Sequence, residues 1–332
     1  MSRTRGFLIL IMVAMLVITT LLPACAPKAP PQQFKLRMGI IKSVDLLPYY
    51  VLCEQGFDKK NGLHIVEQHY QGGSAIIKAI ADGSVDIASS VGTMPVLLAT
   101  ENGIMPDKAV AVAAASFADA HHPTTGVLVG PSVTNWKDLE GKHIGVNSKT
   151  SVTAAGIIGR LHLEGVTEYT LVEISLVNMG LAVAGGNIAA ASMTEPYVTQ
   201  SLLRQDGRIL DWVIGGKPFD NMEFTMIVFS TDIYKNNPEA VKAYLRAHLE
   251  AVKWIEQNPE KARSILARQL DLSPEVAQKI KLLRFSPDGR NDPVLLESMQ
   301  PMLINAGLLK APVPVSQLYD ETLLNEVLKE KR

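Results

Sequence analysis

The chain has 332 residues, 32 of them Lys or Arg and 33 Asp or Glu, for a formal charge of −1, and 47% are hydrophobic. This near-neutral balance, with no nucleic-acid module, excludes a nucleic-acid binder, and the length exceeds what one hydrophobic core organises, so two domains are expected. Two cysteines with no HExxH or CxxC motif leave no disulfide framework and no metal site, and nothing implies a cofactor.

In chain order, Arg3 and Arg5 precede a 16-residue apolar or neutral run, Phe7 to Leu22, and then Leu22-Pro23-Ala24-Cys25. The run falls short of the roughly 18 to 20 apolar residues that span a bilayer, and its layout is that of a bacterial export signal. Leu22 to Cys25 resembles the lipobox of bacterial lipoproteins, although Pro23 replaces the usual small residue. The resemblance implies cleavage after residue 24, a diacylglycerol on the Cys25 thiol and acylation of the new amino end. Residues 1–24 then form a signal peptide and the proline-rich stretch 25–34 a lipidated tether. The protein is expected on the cell membrane, facing the periplasm or exterior. Cleavage leaves Cys53, which sits in an apolar run and reads as a small buried hydrophobe.

From Lys35 short apolar runs alternate with helical periods. Strands are expected at Leu36–Ile41, Leu63–His69, Val85–Ser89 and Ala109–Ala115, with helices at Pro48–Gln55, from Gln71-Gly72-Gly73-Ser74 through Ile80, and at Pro95–Glu101. This spacing argues for parallel strands joined by right-handed crossovers. A second unit begins with a strand at Thr125–Val129. A strand at His143–Val146, a helix capped by Ser148 to Ser151, strands at Thr170–Ser175 and Ile188–Ala191, a helix near Asn178 and a helix at Glu195–Gln205 follow. After a strand at Phe224–Ser230 the pattern is helical. Val241, Tyr244, Leu245, His248, Val252 and Ile255 form one apolar stripe, and Pro259–Gln269, Pro274–Leu283 and Pro293–Ala306 are the next helices. These helices leave no room for a third sheet and are expected to wrap the first unit. The expected organisation is lobe 1 from residues 35–126 plus 224–332 and lobe 2 from 127–223, joined by a two-strand hinge of Thr125–Val129 and Phe224–Ser230.

The order of Glu54-Gln55-Gly56-Phe57, Asn61-Gly62-Leu63, Gly72-Gly73, Ala81 to Ala88 and Leu139 to Val146 resembles solute-binding proteins of ATP-driven (ABC) importers. The branch is the NMT1/THI5-like one, which handles nitrate, taurine, alkanesulfonates, thiamine precursors and riboflavin, and the resemblance covers roughly residues 35 to 310. It implies an α/β, two-lobed periplasmic-binding-protein fold of type II character. It also implies a monomer that closes on a small-molecule ligand and delivers it to an ABC permease and its ATPase subunit.

Ligands of open α/β sheets bind at the carboxyl ends of strands. That places candidate contacts at Ser43, Asp45 and Tyr49, at Gln71, Gly72, Gly73 and Ser74, and at Ser90, Gly92 and Thr93. From the second lobe come Asn147, Thr150 and Ser151, and then Glu195 and Tyr197. The glycines also suit a tight turn, Thr150 and Ser151 a helix cap, and Glu195 the positive end of a helix. Asp45 and Glu195 would repel an anion, whereas carboxylates and tyrosines suit a ring with N–H donors. A heteroaromatic vitamin is therefore expected, riboflavin ahead of a thiamine pyrimidine because Leu46 follows Asp45 where the thiamine-precursor branch has tryptophan. A sulfonate, taurine or nitrate is the alternative. No GxSxG, P-loop or GxGxxG supports an enzyme. An accessory protein of a membrane receptor is the remaining rival. Replacing Cys25 with Ser is expected to leave solute binding unchanged while abolishing membrane retention, which fractionation beside a binding assay measures.

Overall fold

The computed structural model describes residues 33–330, so Cys25, the export segment and nearly all of the tether lie outside the described residues. Its strands are β1 (Phe34–Ile40), β2 (Leu63–His69), β3 (Ile87–Gly92), β4 (Ala109–Asp119), β5 (Thr125–Val129), β6 (Lys142–Val146), β7 (Tyr169–Glu173), β8 (Ala190–Thr194), β9 (Arg208–Ile214), β10 (Asn221–Ser230) and β11 (Arg284–Phe285). Helices are α1 (Leu47–Glu54), α2 (Phe57–Lys60), α3 (Gly73–Ala81), α4 (Thr93–Glu101), α5 (Val152–Leu163), α6 (Leu176–Ala184) and α7 (Tyr197–Leu203). They continue with α8 (Thr231–Asn236), α9 (Pro238–Gln257), α10 (Pro259–Gln269), α11 (Pro274–Lys279), α12 (Pro293–Ser298), α13 (Gln300–Asn305) and α14 (Thr322–Glu330).

Two sheets form. One has six strands in the order β11-β4-β10-β3-β1-β2, the other five in the order β7-β6-β8-β5-β9. The parallel direction expected for the first four strands holds, but each sheet also carries antiparallel pairings. β1 lies parallel to β2 and β3, and β6 parallel to β7 and β8, but β10 runs antiparallel to β3 and β4, and β5 antiparallel to β8 and β9. The reason is the route of the chain: β5 and β10 each enter their sheet from the other lobe, without a crossover helix to reverse direction.

Nearly every residue of β4 is buried, as befits a strand covered on both faces. The stripe Val241, Tyr244, Leu245, His248, Val252 and Ile255 of α9 is buried in the first lobe, and α9 packs on α1. In the second lobe α5 covers one face of the sheet through Ile157, Ile158 and Leu161, while α6 and α7 cover the other through Met179, Val183 and Val198. Val152, Ala155 and Ile214 of this lobe join the apolar core of the first, so the lobes also meet through hydrophobic contact.

Some elements depart from expectation. β9 escapes the pattern because its edge position leaves most of it half-exposed and tolerant of Arg208 and Asp211. The helix expected over Pro274–Leu283 stops at Lys279, because Arg284 and Phe285 pair with β4. The helix expected over Pro293–Ala306 breaks into α12 and α13 at Pro301, whose nitrogen cannot donate to the preceding turn. Cys53 is half-buried against the core, and burial pushes its thiol up to about 12, away from nucleophilic chemistry.

Of the two strands expected to cross between the lobes, Thr125–Val129 lies within the five-stranded sheet and Phe224–Ser230 within the six-stranded one. The chain crosses instead through residues 120–124 and 215–220. Here Asn221 pairs with Asp119, Thr124 N–H donates to the Ile214 carbonyl at 3.1 Å, and Gly215 N–H donates to the Phe219 carbonyl at 2.8 Å. Burial raises the Asp119 carboxyl, but hydrogen bonds from His122, the His121 amide and Arg284 outweigh it and hold the group down at about 2. Gly215 has φ +78°, and a Cβ there would lie 2.3 Å from Pro123 Cα and 2.7 Å from the Asp119 carbonyl oxygen. Gly215→Ala is therefore expected to destabilise the protein by about 2–5 kcal/mol, strain plus overpacking. Gly141→Ala, at φ +70° with nothing within 4 Å, should lose only about 1–2 kcal/mol; urea unfolding of both variants checks the difference.

Candidate functional site

After β1 the chain makes a tight turn at Val44–Leu46 whose apolar residues, Val44 and Leu46, are buried on either side of Asp45. Asp45 itself is half-buried and lines a cavity between the lobes. Ser43 Oγ donates to one carboxylate oxygen, and Ser90 Oγ, within β3, donates to the other at 2.5 Å. Burial raises the Asp45 carboxyl above its ordinary range, opposed by these two hydroxyls.

Ile41, Ser43, Asp45, Gly73, Ser90 and Gly92 of the first lobe line the cavity beside Pro95, Phe224 and Thr225. Asn147, Ser151, Val152, Thr153, Leu176 and Thr194 close it from the second. No lysine or arginine is among these lining residues. The positive charge comes from backbone: the first turns of α3, α4, α5 and α6 all contribute to the wall, at Gly73, Pro95, Val152 with Thr153, and Leu176. The site therefore offers one carboxylate acceptor and several helix amino ends, a combination suited to a solute carrying a donor and an acceptor close together.

Seven of the residues expected from sequence thus converge: Ser43, Asp45, Gly73, Ser90, Gly92, Asn147 and Ser151. Ser151 also caps α5, accepting from Ala154 N–H at 3.1 Å, and Asn147 Oδ1 accepts from Thr153 Oγ at 2.7 Å. Gln71, Ser74 and Thr150 sit on the rim, where Asn147 Nδ2 donates to the Gln71 carbonyl at 3.1 Å and Thr150 Oγ to Ser74 Oγ at 2.9 Å. Gly72 faces Ser148 across the same seam, a Cβ there lying 3.1 Å from the Ser148 Cβ. Tyr197 OH donates to the Lys42 carbonyl at 3.0 Å, another bond between lobes.

Three candidates lie away from the cavity wall. Tyr49 is buried beneath the first loop and donates to Glu67 at 2.8 Å; Thr93 is buried, its hydroxyl tying α4 to the Glu223 and Phe224 carbonyls; Glu195 is buried against α7. Conversely, Thr194 and Val152 with Thr153 are chain neighbours of residues the sequence had singled out. Phe224 and Thr225 carried no signal, because only the pairing of β10 beside β3 brings them to the wall.

A model of the NMT1-like family matches residues 29–270. The chain belongs to the NMT1-like family. It is similar to the riboflavin-binding protein RibY of Chloroflexus aurantiacus, 26% identical with 95% of each chain covered. Among solved structures it is similar to the alkanesulfonate-binding protein SsuA from Xanthomonas axonopodis pv. citri bound to MOPS, with TM-score 0.71, 19% identity and coverage of 88% of this chain and 99% of that one. The desulfurization enzyme DszB has the same fold, with TM-score 0.63, 18% identity and coverage of 90% and 100%. At these identities the structures establish the two-lobed periplasmic-binding-protein fold of this NMT1-like chain. Among the described residues no cluster of His, Cys, Asp or Glu could hold a metal, and no helix is long and apolar enough to cross a membrane.

Behind Phe224 the Glu223 side chain is fully buried. Burial pushes its carboxyl up to about 8; the Asp292 N–H, donating at 2.7 Å, opposes the rise, and the Asp292 and Glu321 carboxylates add to it. An unfolded glutamate titrates near about 4.3, so between that pH and 8 the unfolded state releases its proton while the folded state keeps it, and stability falls as pH rises. Glu223→Gln removes this slope. The variant is expected to gain on the parent by up to about 1.4 kcal/mol per pH unit across pH 5–8, measured by urea unfolding at several pH values.

Proposed function

We propose that this protein is the solute-binding component of an ABC importer, capturing a heteroaromatic nutrient between its lobes and presenting it to a membrane permease. The two lobes, the double crossing and the lined cavity between them support capture by closure, in which a solute touching both lobes favours the closed form by its differential affinity. A lipid on Cys25 would keep the loaded protein beside the permease, turning a free scavenger into a local receptor.

The observation that carries the ligand reading is Asp45 facing the cavity with no cationic side chain in the wall. A sulfonate or nitrate would meet a carboxylate with only backbone dipoles to offset it. An imide edge, with a ring N–H between carbonyl oxygens, offers the N–H to Asp45 and the oxygens to the helix amino ends. Riboflavin carries such an edge, in keeping with the riboflavin-binding relative, and Ile41, Leu176 and Phe224 supply apolar walls for a ring. The cavity is about 60 Å³, against about 300–1,000 Å³ for sites of drug-sized ligands, so a vitamin enters only once the lobes part.

Purified protein titrated with riboflavin, a formylaminopyrimidine and taurine is expected to give heat and flavin-fluorescence quenching with riboflavin. Asp45→Asn should weaken that binding at least about tenfold, the worth of a charge-assisted hydrogen bond. Heat with taurine alone would overturn the ligand reading, and turnover of any of the three would overturn the binding-protein reading itself.

A further inference from the structure

Glu195 follows Thr194 directly, yet the two do different work. Thr194 lines the cavity, whereas Glu195 lies outside its wall and is 1% exposed. Within its own lobe one carboxylate oxygen accepts from Thr199 N–H at 3.1 Å and the other from Thr199 Oγ at 2.8 Å. The oxygen bound to Thr199 Oγ also accepts from the backbone N–H of Lys281 at 3.3 Å. Lys281 belongs to the other lobe, in the extended segment between α11 and β11 that pairs into the six-stranded sheet. Its ammonium lies 5.4 Å from the ring centroid of Trp212, on β9 of the second lobe, within cation–π range. α11 also packs on α7. Segment 280–283 of lobe 1 therefore grips lobe 2 at two points, on the flank of the cleft.

The grip differs in kind from the rim contacts. Asn147 to Gln71, Thr150 to Ser74 and Tyr197 to Lys42 join neutral groups at exposed positions. Glu195 presents a buried carboxylate, and hydrogen bonds to charged groups are about twice as strong as neutral ones. Thr199 holds that carboxylate in place from within its own lobe, so little ordering is needed when the lobes meet. When they part, the carboxylate loses the Lys281 N–H, and Lys281 moves away with its charge.

We propose that Glu195, given the solute-binding reading on which this rests, is a positioning residue: its clasp on the Lys281 segment sets the closed fraction, and thereby solute affinity, without touching solute. Spin labels on Lys78→Cys and Glu168→Cys, one exposed position per lobe, in a Cys25→Ser, Cys53→Ser background would report the interlobe distance without riboflavin. Glu195→Ala is expected to shift the ratio of open to closed forms about tenfold toward open, as loss of a hydrogen bond to a charged group implies. Lys281→Pro removes the donor N–H while leaving the cavity and Thr199 untouched, and should do the same if Glu195→Ala fails to fold. Glu195→Gln keeps an uncharged acceptor and should fall between. Riboflavin, which the closed cavity is too small to hold, should bind more tightly as the open fraction rises. Unchanged distances in Glu195→Ala and Lys281→Pro, or a parent protein already wholly open without riboflavin, would overturn the clasp. A parent that closes but fails to bind riboflavin would overturn the ligand reading alone.

Discussion

The chain passes between its two sheets twice, and both passes are pinned at one place. Asp119 at the end of β4 pairs with Asn221 at the start of β10, while Gly215 lies so close to Pro123 and the Asp119 carbonyl that any side chain would collide with backbone. Two strands bonded at their shared ends resist sliding apart but still permit bending about that line. The cleft, its walls and the contacts across it all depend on this junction, because it fixes which strand ends face each other.

From that junction the electrostatics of the cleft follow. Strands β1 and β3 deliver Ser43, Asp45 and Ser90 to one wall, and the loop after β6 delivers Asn147 and Ser151 to the other. Helices begin where these strands end, so their amino ends point inward by topology rather than by any special residue. A single carboxylate set among such ends is less repelled than in an apolar pocket, yet burial still raises it. Asp45, held by its two serine partners, is the one carboxylate among the lining residues of that wall.

Closure is a property of both lobes together, and its contacts are spread around the rim and flank of the cavity. Gly92 illustrates how close the approach is, since a Cβ there would lie 2.9 Å from Val152 Cγ1 of the opposite lobe. Residues that never touch solute can therefore influence affinity through the equilibrium between open and closed forms. Glu195 is placed for such a role because its carboxylate is held by one lobe and answered by the other.

Much was legible from local chemistry. Leu63–His69, Thr125–Val129 and Pro259–Gln269 have the bounds their apolar periods and flanking glycines or prolines imply. The loops after β1, β3 and β6 were readable as candidates for the cavity wall because strand ends followed by helix starts are a local pattern. What stayed hidden depended on partners remote in sequence. β9 is a strand because β5 lies beside it, α11 ends where β11 must pair with Phe117, and β5 and β10 run antiparallel because they arrive from the other lobe. Likewise Phe224 and Thr225 reach the cavity, and Glu195 turns from it toward Lys281, for reasons of packing between segments far apart in the chain. The sequence by itself determined most of the elements, the two-lobe plan and the Asp45 loop, since periodicity, caps and turns act over a few residues. Only the tertiary structure decided strand direction, the site of the hinge and which carboxylate faces the cavity, since those rest on pairings that no local stretch encodes.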